Sequence, residues 1–146
     1  MLLNFAQLTP REISGYDLPA KTICLSITRS VNELGEGNPD FVLTSAHVMA
    51  CVQRAWRLNH EKADKSSRIL ATYSDPNRGR IILGIFEFGR DGMDKCFHKD
   101  PDEEDRYSFL AKPAPAADWN KYVGHYLAKS KAGETNPVRY YNTEYE

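Results

Sequence analysis

The sequence predicts a single α+β domain with a mostly antiparallel, partly closed sheet and two main helices, and three observations lead there. Residues 68–73 and 81–88 are apolar runs rich in β-branched and aromatic residues, and the segment 74–80 between them holds Asp75, Pro76, Asn77 and Gly79. Such a pattern is an antiparallel hairpin. Two stretches, near 45–56 and 116–130, repeat apolar residues at helical spacing. A length of 146 residues then suffices to bury about two thirds of the extended surface around one core, without staples.

In chain order, Ile23, Leu25 and Ile27 alternate with Cys24, Ser26 and Thr28, which predicts a strand with one apolar face. Residues 29–40 contain Gly35, Gly37, Asn38 and Pro39, and are expected to form a long loop. Ser45 is placed to cap a helix carrying Val48, Cys51, Val52 and Ala55 on one face; whether residues 54–58 continue it or switch to strand is left open. Asn59 offers a fresh cap for a short polar turn over 60–66. In the hairpin, the second strand is apolar on both faces and should lie centrally. Residues 89–105 are polar, glycine-containing and acidic, a second long loop. Residues 106–110 read as a strand, and Trp119, Tyr122, Val123, Tyr126 and Leu127 as the stripe of a helix over 116–130. Gly133 closes that helix, and 138–141 form a last short strand. The predicted order is β-α-β-β-β-α-β.

Nineteen Lys plus Arg against twenty Asp plus Glu give a formal charge of -1, which disfavours a protein that coats duplex backbone. Much of the negative charge sits in Asp100–Asp105, so the remainder is net positive. Cys24, Cys51 and Cys96 are odd in number and lack a CxxC spacing, as expected of reduced thiols in a cytoplasmic protein. The N-terminal residues do not have the pattern of a secretion signal, and no apolar run reaches the length of a membrane span.

Complete catalytic motifs are missing. Cys96, His98, Asp100 and Asp102 lie at two-residue steps, but they mix one soft thiol with hard carboxylates and lack paired ligand spacing, so no metal and no cofactor is expected. Ser45 and His47 fall within a predicted helix, where such near neighbours point apart. Glu61-Lys62 and Asp94-Lys95 have the wrong spacing for a nuclease strand, and Gly89–Gly92 is too short for a phosphate loop.

Three segments do place arginine beside an aromatic ring: Arg54-Ala55-Trp56-Arg57, Arg106-Tyr107, and Arg139-Tyr140-Tyr141. An arginine fork donates to phosphate or carboxylate, and a ring offers a stacking face to a base. Arg54, Arg57, Arg106 and Arg139 are the expected anion contacts, with Trp56, Tyr107 and Tyr140 as stacking rings. The competing reading puts the rings in the core and the arginines in water. For Arg78 and Arg80, at the hairpin tip, solvation is the favoured reading.

The order Arg54-x-Trp56-x-Leu58, Ile69–Tyr73, Ile82–Phe86, Arg106-Tyr107-x-Phe109 and Asn136-Pro137-x-Arg139-Tyr140 resembles a loosely defined group of small prokaryotic and phage-associated proteins. The hairpin 68–88, with Gly84 in its second strand, is also similar to the barrel core of PUA-like domains of the ASCH and EVE type. That likeness implies binding of RNA or modified bases. The expectation is therefore a non-catalytic accessory or defence-related protein that binds a free nucleotide or single-stranded nucleic acid, with a homo-oligomer left open. A metal-dependent phosphodiesterase or nuclease using His98 is the first alternative, and a protein-binding inhibitor acting through the two long loops is the second.

Overall fold

A computed structural model of the chain describes residues 11–14, 17–19, 21–54, 56–57, 63, 65–75, 79–89, 98–99, 106–127 and 137–141. The elements are β1 (Glu12–Ile13), β2 (Thr22–Ser26), α1 (Thr28–Gly35), α2 (Ser45–Val52), β3 (Arg68–Asp75), β4 (Gly79–Phe88), β5 (His98–Lys99), β6 (Tyr107–Ser108), β7 (Ala111–Pro113), α3 (Ala116–Tyr122), β8 (Tyr126–Leu127) and β9 (Val138–Tyr141). The single α+β domain is as the sequence predicts. Seven strands form one mixed sheet in the order β1-β8-β4-β3-β2-β9, with β7 also on β4, while β5 and β6 pair separately.

The hairpin is the centre of the sheet. β3 and β4 pair antiparallel from Ile69–Phe86 to Asp75–Gly79, and the other edge of β4 is shared by β7 near Phe88 and by β8 near Ile81. β2 runs parallel to β3, so α1 and α2 make the crossover that a parallel pair requires. β9 closes against β2 antiparallel, and β1 joins β8 in parallel.

A core lies on each face. Ile23, Leu25, Ile69, Ala71 and Ile81 pack with Val31 of α1 and with Val48 and Val52 of α2 on the first face. Cys24, Leu70, Ile82 and Ile85 pack with Leu18 and with Tyr122 of α3 on the second. The register slips between Ala71 and Thr72, so that Ala71 faces Gly84 while Thr72 faces Ile82. This bulge puts Ile82 and Ile85, three apart, on one face, while Ile81, Leu83 and Phe86 face the other core, so β4 is buried on both sides and reads as apolar throughout.

The backbone at Gly84 is hemmed in: a Cβ there would lie 2.7 Å from Phe86 Cε2 and 3.2 Å from Trp119 Cη2. Phe86 and Trp119 meet edge to face at 5.6 Å, joining β4 to α3. Arg68 of β3 ties the same corner together, reaching Asp118 of α3 at 3.3 Å and Glu87 of β4 at 3.4 Å.

Several expectations are corrected. Residues 29–40 are not one loop, because α1 occupies their first half; the turn formers begin only at Gly35, and Gly37 takes the left-handed φ of 74°. A lone buried residue, Val31, and an Arg29–Glu33 pair at 3.3 Å give this helix little apolar signature. The α2 cap is Thr44 rather than Ser45: its Oγ1 accepts from His47 N at 3.2 Å while His47 Nδ1 accepts from Thr44 N at 3.1 Å. The helix expected over 116–130 stops at Tyr122, since Gly124 adopts φ 92° and Tyr126 and Leu127 become β8. Gly124 N donates to Ile82 O, and Ile82 N donates to His125 O, so β4 recruits this segment as sheet. Within the expected loop 89–105, His98 and Lys99 are strand; most of that loop, the polar turn over 60–66 apart from Ala63, Lys65 and Ser66, and Gly133 lie outside the described residues.

Candidate functional site

Two of the three arginine-aromatic segments meet. After α2 the chain turns extended, and Trp56 and Tyr107 exchange backbone hydrogen bonds, Trp56 N to Tyr107 O at 2.9 Å and Tyr107 N to Trp56 O at 2.8 Å. The switch left open at Arg54 thus resolves to extended chain. Gln53 supports it, its backbone O accepting from Phe109 N and its side chain from Ala111 N, both at 2.9 Å. Trp56 itself is only 8 % exposed and belongs to the first core, with Nε1 donating to Val52 O at 2.9 Å. Its ring is core and does not present an open stacking face. Arg54 and Arg57 are exposed, and Arg106 and Tyr107 are half-buried. Arg54 lines a surface cavity of about 370 Å³ with Ser30, Glu33, Leu34, His47, Ala50 and Cys51.

Arg139 lies elsewhere. β9 is the edge strand beyond β2, three strands from β4, or roughly 14 Å at ordinary strand spacing. It also faces the other way: Arg139 pairs with Cys24 of the second core, whereas Tyr140 pairs with Ile23 and packs on the first. The three segments do not form one pocket.

Around Arg139 the second face assembles a different cluster. Cys24 of β2 is fully buried, its Sγ 3.8 Å from Thr72 Oγ1 of β3. Arg139 and Tyr141, two apart on β9, share that face, and Arg139 is only 9 % exposed. Arg80 of β4, two residues before Ile82, projects to the same side, and its guanidinium acts on both Cys24 and Tyr141. The Nη1 of Arg80 and the hydroxyl of Tyr141 are buried without a hydrogen-bond partner. Arg139 stands near enough to act on the Tyr141 hydroxyl.

Burial dominates the titration of this cluster. It pushes the Cys24 thiol up, with Arg80, Thr72 and Arg139 pulling the other way, and it pushes the Tyr141 phenol up, aided by the neighbouring Cys24. Both groups are neutral near pH 7, so the charge of the cluster comes from its arginines. A raised, enclosed thiol is a poor nucleophile. The arrangement suits capture of an anion rather than covalent chemistry.

A cavity of about 620 Å³ is lined by Ser26, Thr28, Arg29, Asn32, Glu33, Glu36 and Pro137, and by none of the residues of that cluster. Ser26 lies two residues along β2 from Cys24, about 7 Å at strand rise, and Ser26 N donates to Pro137 O at 2.8 Å. Ser26 Oγ and Thr28 Oγ1, on two of its lining residues, are 3.1 Å apart, and Thr28 Oγ1 accepts from Ser74 N at 2.8 Å.

The sequence favours solvation for Arg80, carries Tyr141 only within the third arginine-aromatic segment, and gives Thr72 and Cys24 no role in a site. The signal was present in strand alternation: Arg139 and Tyr141 share a face, as do Arg80 and Ile82, whereas adjacent residues do not. Among the described residues no group of three His, Cys, Asp or Glu could hold a metal, and no helix is long and apolar enough to cross a membrane. No protein-family model matches the chain, and no curated protein or solved structure matches it.

Proposed function

We propose that the chain is a non-catalytic binding protein for an anionic ligand of nucleotide type, held at Arg80, Arg139 and Tyr141. The observation that carries this reading is the buried Nη1 of Arg80, which lacks a hydrogen-bond partner beside an equally unpartnered Tyr141 hydroxyl. A buried donor left unmade costs about 1–3 kcal/mol, more when charged, and an incoming phosphate or carboxylate oxygen would remove that cost. A cavity of about 620 Å³, whose lining includes Ser26 two residues along β2 from Cys24, has the size of a small-molecule pocket and polar residues for a sugar or base. Arg139, the one anticipated contact that is buried here, joins this set; Arg54, Arg57, Arg106, Trp56, Tyr107 and Tyr140 lie outside it. The resemblance to phage-associated proteins favours a small accessory factor as its setting.

Arg80→Met separates this reading from a structural role. Arg80 is half-buried and no ion pair to a carboxylate is seen for it among the described residues, so replacing it with an apolar side chain should leave the melting temperature unchanged or raise it. Nucleotide binding, followed by calorimetric titration, should weaken about 10- to 100-fold, as expected for a lost charge-assisted hydrogen bond. A variant that melts well below the parent yet binds as before would show that Arg80 is scaffold and end the proposal.

A further inference from the structure

Independently of any ligand, we infer that His125 is a pH-operated latch for β1: with its imidazole neutral the strand stays on β8, and with it protonated the strand comes off while the rest of the sheet remains folded. Three features lead there. The first is the direction of one hydrogen bond. Arg11 N lies 2.9 Å from His125 Nδ1. A backbone N–H can only donate, so Nδ1 carries the lone pair and the ring proton sits on Nε2. A second proton has to go to Nδ1, where it would set two N–H groups against each other. Protonation and this bond exclude one another.

The second is the contrast between the two sides of that bond. β1 is a two-residue strand at the end of the sheet, paired with β8 through Glu12–Tyr126 and Ile13–Leu127. Both polar groups of the Arg11 backbone are engaged by neighbouring residues, its N by the His125 ring and its O by Tyr126 N at 3.1 Å. His125, by contrast, is pinned. Gly124 N donates to Ile82 O, Ile82 N to His125 O, and His125 N to Tyr122 O at 3.2 Å, which fixes its backbone to β4 and α3. When the bond fails, β1 is the side that leaves.

The third is charge. The titratable and charged groups on the elements around the ring are Arg11 and Glu12 at β1, Lys121 and Tyr122 of α3, Arg80 of β4 and Tyr126 of β8. Of these, Arg11 alone acts on the imidazole, and its charge adds to burial in opposing protonation. Glu12 is exposed, and the Tyr122 hydroxyl already donates to Asp17 O at 2.8 Å. A protonated ring would face burial and a like charge together, and departure of β1 with Arg11 relieves both. Ile13, Leu127 and Arg80 stand in one cross-strand row. Release of β1 therefore bares the outer edge of β8 at Leu127, the cross-strand neighbour of Arg80.

Residue-resolved amide exchange on the full chain tests this, read as protection factors so that the intrinsic pH dependence of exchange cancels. Opening takes up one proton at a group whose ordinary pKa is about 6.5, so protection of the Arg11 and Tyr126 amides should fall about tenfold between roughly pH 7.5 and pH 5.5. Protection along β3 and β4 should hold. His125→Gln, whose side-chain oxygen can accept from Arg11 N without titrating, should keep both amides at their high-pH protection throughout. Flat protection in the parent, or an equal fall in His125→Gln, would overturn the latch. A fall shared by β3 and β4 would show unfolding of the whole domain instead of release of one strand, and would overturn it too. Ring nitrogen chemical shifts of His125 at neutral pH give a check that needs no variant: they should place the proton on Nε2, and a proton on Nδ1 would end the inference.

Discussion

Adding one methyl group at Gly84 tests the packing that joins the sheet to α3. A Cβ at this position would stand 2.7 Å from Phe86 Cε2 and 2.9 Å from its Cζ, inside any tolerated contact, with Trp119 Cη2 at 3.2 Å behind. Phe86 cannot simply retreat, since it is fully buried and already meets Trp119 edge to face. Overpacking of this kind costs about 1–3 kcal/mol. Alanine also narrows the unfolded ensemble, which offsets about 0.4–1 kcal/mol, so Gly84→Ala should destabilise by roughly 1–2 kcal/mol. With a urea slope of about 1–3 kcal/mol per molar, the unfolding midpoint should fall by roughly 0.3–2 M at unchanged slope. A double variant sharpens the test: with Phe86→Leu the offending ring atoms are gone, and the alanine should cost less than in the parent, giving a coupling of about 0.5 kcal/mol or more. A midpoint that stays or rises in Gly84→Ala, or costs that simply add, would refute steric exclusion as the reason for glycine.

Three further predictions concern elements around the site. His125 accepts a hydrogen bond from Arg11 N at 2.9 Å through Nδ1, and burial, then the nearby Arg11 charge, lowers its pKa. The folded state therefore prefers neutral imidazole: this contribution is complete above about pH 6.5, the unfolded value, and is lost as pH falls below it; urea midpoints should decline over that window in the parent and stay flatter in His125→Gln. Arg68→Met removes the contacts to Asp118 and Glu87, and because all three side chains retain about a quarter of their exposure, the loss should be about 0.5–1 kcal/mol and should shrink at high salt. Thr44→Ala breaks the reciprocal cap with His47 and should lower stability by about 1 kcal/mol in thermal or urea unfolding.

What the sequence disclosed depended on the length of each pattern. The β3–β4 hairpin was legible because two long apolar runs flank a segment dense in turn formers, and the burial of β4 on both faces followed from its composition. Short elements were not legible. In α1 only Val31 is buried, so no stripe repeats, and in 116–127 the spacing of Trp119, Tyr122, Tyr126 and Leu127 fits a helix although Gly124 splits it into helix and strand. The candidate site was read through the wrong pairing. Adjacent residues such as Arg139 and Tyr140 stand together in sequence, yet in a strand they diverge, and it is Arg139 with Tyr141 that share a surface. Arg80 looked like a solvated turn residue because sequence cannot tell that its side chain runs back over the sheet toward Cys24.

The double use of one edge of β4 has a kinetic consequence. Its amides and carbonyls are engaged by β3 along one side and by β7 and β8 in succession along the other, so β4 cannot open without releasing segments separated by some fifty positions of chain. Local fraying of the short strands is cheap by comparison, as each breaks only a few bonds. Amide exchange should therefore grade outward from β4, slowest where opening requires the whole domain to unfold and fastest in the two-residue strands that merely lean on it.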